Sequence, residues 1–145
     1  MEHKDQPIKK LVSVILVEKQ LTDVWTYWND SDAIMQWNIP FDDWHCPAVS
    51  IDFREGGMFN FRMEKIASRE GFDYVGVFDE IIAMEYIEST SGGRKCIVEF
   101  QAIDHNTIIR EIFEPDAFTP LELQQSFTDG VLLNFKKFME NKTYQ

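Results

Sequence analysis

The chain has 145 residues, 44% of them hydrophobic and 27% charged, with twelve Phe, four Trp, four Tyr and a net charge of −11. That length and balance suit one globular domain spanning 1–145 and not a disordered chain. The acidic field repels a phosphate backbone, so no nucleic-acid partner is expected, and no apolar run reaches the length of a membrane span.

From Ile8 to Val17 the run IKKLVSVILV is apolar and β-branched, with Val12, Val14 and Leu16 on one side and Leu11, Ser13 and Ile15 on the other. It predicts a first strand buried on much of both faces. Next, LTDVWTYWND offers Thr22 as an N-cap, and Val24 and Trp28 fall four apart on one helical face. Ser31 is expected to cap a second short helix ending near Trp37, because Pro40 pushes the residue before it out of the helical region. From Ile39 to Pro47 no periodicity holds, and Phe41 and Trp44 read as ring anchors in a loop.

A hairpin follows, in which Val49, Ile51 and Phe53 alternate with polar residues before Gly56-Gly57, and Phe59, Phe61 and Met63 alternate after it. Further strands are predicted at FDYVGVFDEI, AMEYIEST, KCIVEFQAI and NTIIREIFE, separated by the turns at Ile82-Ala83, Ser91-Gly92-Gly93 and Asp104-His105-Asn106. Thr119-Pro120-Leu121-Glu122 has the form of a capping box with Pro at the first helical position. Beyond it Phe127, Val131, Phe135 and Phe138 form a stripe at helical spacing, predicting a helix from Thr119 to Glu140. Without βαβ alternation the sheet should be antiparallel. The expected fold is α+β: about six to seven antiparallel strands in a sheet curved around a long C-terminal helix, with two short helices after the first strand.

The short helix DVWTYWND, the second helix ending in Trp37, the unit DFREGGMFNFRM, YVGVFDEI with Gly76, and the closing LLNFKKFMEN together resemble the SRPBCC (START-like, helix-grip) superfamily. Within it they are similar to the C-terminal domain of activators of the heat-shock-protein-90 ATPase, from about Lys9 to Glu140. The resemblance implies a cavity between sheet and helix that holds a hydrophobic molecule in many members. It does not imply one chemistry, since relatives include lipid carriers, hormone receptors, polyketide cyclases and co-chaperones. Many relatives open the last helix with Gly-Trp, whereas this chain reads Gln125-Ser126-Phe127-Thr128. Gly130, costly inside a helix by ~1 kcal/mol relative to Ala, is expected to permit close approach of the sheet.

Strand parity and the helix stripe place Trp37, Phe59, Phe61, Met63, Tyr74, Phe78, Tyr86, Phe100, Phe113, Phe127, Val131 and Phe135 inward, either lining a cavity or filling a core. Glu111 shares the face of Ile109 and Phe113, so its carboxylate either enters that space or is turned to solvent by local twist. By the same parity Arg62 and Arg110 point outward. His45 has no HxxxH, HxH or CxxC array around it and reads as a loop histidine, and His105 as a solvated turn residue. GxSxG and GxxxxGK[ST] are absent, and no cofactor is expected. Cys46 and Cys96 stand alone, and MEHKDQPIKK lacks the apolar core of a signal peptide, so free thiols in a reducing cytoplasm are expected. Three functions compete. One is binding of a small lipid-like or aromatic molecule; another is a protein-interaction module that touches a chaperone through Trp44, or pairs as a homodimer. The third is a cyclase or hydrolase with Glu111 as acid or base.

Overall fold

A computed structural model describes residues 9–141, so Ile8, Lys4 and the rest of the MEHKDQPI segment lie outside the described residues. The elements follow the chain as β1 (Leu11–Val17), α1 (Leu21–Trp28), α2 (Ser31–Trp37), β2 (Trp44–Ile51), β3 (Met58–Lys65), β4 (Gly71–Ile82), β5 (Tyr86–Ser91), β6 (Arg94–Ile103), β7 (Asn106–Phe113) and α3 (Leu121–Glu140). The strands form one antiparallel sheet in the order β1-β7-β6-β5-β4-β3-β2. The register slips between Phe78 and Glu80 against β5, and between His45 and Ala48 against β3. Each irregularity bends its strand and adds twist, which suits a sheet that curls around α3.

Four local expectations change. On β1, Leu11, Ser13 and Val17 are buried but Val12, Val14 and Leu16 are exposed, because this is an edge strand with no layer on its outer face. Residues 44–47, expected in a loop, begin β2 instead. The N-caps of the first two helices are Gln20 and Asp30, not Thr22 and Ser31; the Asp30 carboxylate accepts the Ala33 N–H. Nor does the Thr119 capping box form. Pro120 is the N-cap without a side-chain bond, and Asp116 instead accepts the N–H groups of Phe118 and Thr119 while Gln124 donates to the carbonyls of Asp116 and Thr119.

Polar contacts hold α3 along β1. Gln125 donates to the Val12 carbonyl and to Ser13, the Ser13 hydroxyl donates to Asp129 at 2.6 Å, and Lys136 donates to the Leu16 carbonyl. The C-terminal half of the helix then sinks Leu132, Phe135 and Met139 into the core, each at most 1% exposed. Around Phe135 stand Trp28 at 5.0 Å and Trp37 at 4.9 Å, edge to face, and those two indoles stack on each other at 4.6 Å. Such ring pairs contribute about 0.5–1.5 kcal/mol each beyond the area they bury. The Trp37 indole N–H donates to the Tyr27 carbonyl, so the burial leaves no polar group unpaired. Phe100 joins the same cluster against Trp25 and Trp28.

Candidate functional site

Toward its N-terminal end α3 stays tied to β1 at the sheet edge but stands off the strands beyond it. Leu123, Gln124, Phe127, Thr128 and Val131, one helical stripe, instead roof a cavity of about 460 Å³ whose floor is the concave face of β3 to β7. That volume is within the range of small-molecule sites. The floor is aromatic because alternate positions of three strands point the same way: Phe59, Phe61 and Met63 from β3, Tyr74 and Phe78 from β4, and Phe113 from β7. Gly76, opposite Phe59 in the ladder, is required there, since a Cβ would collide with the Phe59 ring. That ring therefore lies down on the sheet and meets Phe61, Tyr74 and Phe78 at 5.0 to 5.4 Å. At the α2 side the cavity is closed by Trp37, while Phe127 gathers Phe41, Trp44 and Phe72 within 6.0 Å at the opposite edge.

Ten of the thirteen expected residues line this space: Trp37, Phe59, Phe61, Met63, Tyr74, Phe78, Glu111, Phe113, Phe127 and Val131. Phe100 and Phe135 do not; they pack on Trp28 in the ring cluster under the other half of α3. Tyr86 is a correction of face. It pairs with Ile82, and its hydroxyl donates to Glu88 on the outer side, a bond that raises its pKa to about 12, while Ile87 and Ser89 point in. Both faces of β5 mix apolar and polar residues, so parity alone chose the ring over the isoleucine.

Glu111 does turn inward. In register it stands between Ser13 and Val98, on the face that carries Cys96 and Phe113, and its hydrogen-bond partner is the Cys96 thiol, donating at 3.5 Å. Burial raises its pKa to about 7, against a smaller lowering by the thiol. Burial and the Glu111 charge hold Cys96 well above its ordinary value, so it is a thiol and not a nucleophilic thiolate. Tyr74 is pushed up by burial, with Cys96 and Glu111 adding to the effect. The three form a polar patch in an otherwise apolar wall, beside Ser89. Arg62 and Arg110 point away as expected and pair with Glu64 and Glu99.

Other candidates disperse. His45 meets Glu64 at 2.9 Å and has no further ligand-type neighbour; no cluster able to hold a metal occurs among the described residues. Cys46 is buried, its pKa pushed up to about 11 by burial, and both cysteines are free thiols. Trp44 spends its ring on Phe72 and Phe127 and is not an exposed anchor for a partner. Gly130 packs closely, but against the carbonyl of Pro40 after α2 and not against the sheet. Parity could have found Phe72, which shares a face with Tyr74, and Cys96, which shares one with Val98; neither was singled out. For Phe41 and Trp44 no periodic signal existed.

A curled antiparallel sheet, two short helices and a long helix over an internal cavity define a helix-grip protein of the SRPBCC type. The family model described as Activator of Hsp90 ATPase homolog 1-like protein matches residues 20–140, and the chain belongs to that family. Among solved structures, a solution structure from Cytophaga hutchinsonii is 33% identical, with a TM-score of 0.77 over 94% of this chain and 98% of that one. An AHSA1-like protein from Aeromonas hydrophila is 28% identical, with a TM-score of 0.80 over 93% and 99%. A protein from Rhodobacter sphaeroides, 6% identical with a TM-score of 0.80 over 97% and 99%, shares the fold alone. No curated protein matches the chain. No described helix is long and apolar enough to cross a membrane.

Proposed function

We propose that this protein binds a small hydrophobic molecule, aromatic or lipid-like, in the cavity under the first half of α3. The observation that carries the reading is an open volume of about 460 Å³ lined by rings, next to a cluster of packed rings around Phe135. Interiors pack densely by default, because an unfilled apolar space forfeits both transfer and dispersion energy. An occupant would recover that loss, roughly 25 cal/mol for each Å² of apolar surface it removes from water. Titrating labelled protein with fatty acids, flavonoids and lipids and following NMR shifts tests this. Shifts confined to Phe59, Phe61, Phe113 and Phe127, and abolished by filling the space with Phe61→Trp, are expected. No shift at these residues with any class sinks the proposal.

A second reading, acid–base catalysis, has one observation in its favour: Glu111 faces the cavity with its pKa raised to about 7, near where a general acid or base works best. Turnover of an aryl ester or a cyclisable polyketide mimic, lost in Glu111→Gln, would establish it. Binding of such compounds without turnover leaves the first reading alone.

A further inference from the structure

The polar patch in the cavity wall goes further than apolar binding. We infer that it selects a protonated amine on an apolar body, with the Glu111 carboxylate as the counter-ion inside the cavity. This rests on the binding function proposed above and names the class of ligand.

The first argument is the state of Glu111 itself. A buried carboxylate offers about four acceptor sites, and among the described residues a single weak thiol donor at 3.5 Å answers them. Buried charges are otherwise paired or coordinated, yet among the described residues no cation pairs with this one. Of the two that line the cavity, Lys95 ties its ammonium to Asp79 at 3.1 Å and Glu88 at 3.3 Å. Arg94 acts electrostatically on Asp116 and Tyr74. The acceptor left without a protein cation therefore borders the open cavity, where a ligand's donor can reach it.

The second argument concerns the walls. An ammonium beside Glu111 would lie among the rings of Tyr74 and Phe113, whose faces are electron-rich and attract cations. A ligand carboxylate would instead meet like charge in a low-dielectric setting, which is repulsive. The protein's net charge of −11 favours approach of cations over anions from a distance as well.

Calorimetric titration with three naphthalenes of one shape tests the inference: 1-naphthylmethylamine, 1-naphthalenemethanol and 1-naphthoate. At about pH 8 the amine should bind roughly ten-fold or more tighter than the alcohol, the size expected for one buried charge-assisted contact. The naphthoate should bind weakest. Lowering the pH to about 5 protonates Glu111 and should weaken the amine while sparing the alcohol. Cys96 from β6 and Tyr74 from β4 stay neutral across this range, and Asp129 of α3 accepts the hydroxyl of Ser13, the β1 residue opposite Glu111.

In Glu111→Gln the preference for the amine should vanish with alcohol binding kept, and retained alcohol binding also shows that the variant is folded. An alcohol that binds as well as the amine to the unmodified protein overturns the inference and leaves apolar binding standing. A preference that survives in Glu111→Gln overturns it too. If none of the three binds, the cavity reading fails and this one with it.

Discussion

The two halves of α3 face the same sheet with the same kinds of residue and reach opposite outcomes. Beneath Leu132, Phe135 and Met139 the rings of Trp28, Trp37 and Phe100 pack against one another, whereas beneath Leu123, Phe127 and Val131 an open cavity remains. The difference is a third layer. Helices α1 and α2 insert Trp28 and Trp37 against Phe135 in the C-terminal half, whereas under the N-terminal half they close the cavity on one side only, and the chain from Glu114 to Pro120 that borders it elsewhere is irregular. Residue type does not decide whether a helix-grip interior is filled; the supply of side chains from a second direction does.

Truncation should separate the halves most sharply. Phe135→Ala removes a ring with no exposure from a packed cluster, and the expected loss is about 3–5 kcal/mol. Phe61→Ala removes a ring that already borders empty space, so it strands fewer neighbours and should cost about 1–2 kcal/mol. Urea unfolding of both variants measures the gap. Equal losses would mean that the cavity wall is as tightly coupled as the core, and the contrast between the halves would break.

How far this division was legible in the sequence follows from the same physics. The Phe127, Val131 and Phe135 stripe and the Phe59, Phe61 and Met63 alternation announced a helix over a curved sheet, since periodicity reports which face is buried. Periodicity says nothing of what stands opposite a buried face, so Phe100 and Phe135 were grouped with Phe61 although one set fills and the other lines. Tyr86 was misplaced because β5 has mixed faces, and the Thr119 cap because Asp116, three residues upstream, takes the N–H groups at the helix entry. Glu111 was readable as inward from its parity with Ile109 and Phe113; its lack of a cationic partner was not, being a property of what four other strands bring near.

Charge gives the next largest effect, confined to the open half. The carboxyl of Glu111 titrates near 4.5 in an unfolded chain and at about 7 in the fold, so between those values the native state holds more protons. Its contribution to stability is complete below about pH 4.5 and is lost as the pH rises through about 7, on the order of 3 kcal/mol in all. Gln cannot titrate. Glu111→Gln should therefore gain stability relative to the unmodified protein between about pH 5 and pH 8, read as the difference in urea midpoints at each pH so that other groups cancel. A difference that stays constant with pH would place Glu111 in contact with solvent and remove the polar patch from the site.

The boundary between the halves supplies the smallest effect and the finest test. Gly130 sits where the helix passes from roof to core, and the carbonyl of Pro40 occupies the place a Cβ would take. Alanine would improve helix propensity by ~1 kcal/mol, but forcing the loop away should cost about 1–3 kcal/mol as overpacking does. The balance in Gly130→Ala is a net loss of up to about 2 kcal/mol. The strain has a direction: Pro40 leads into Phe41, which packs on Phe127 at 6.0 Å, so the displaced loop should loosen the cavity's edge and leave Phe135 in place. Shift changes at Phe41 and Phe127 without change at Phe135 would show that the open half yields first. A variant more stable than the parent, with the cavity edge unmoved, would mean that the Pro40 loop gives way freely and that the junction does not hold the two halves in register.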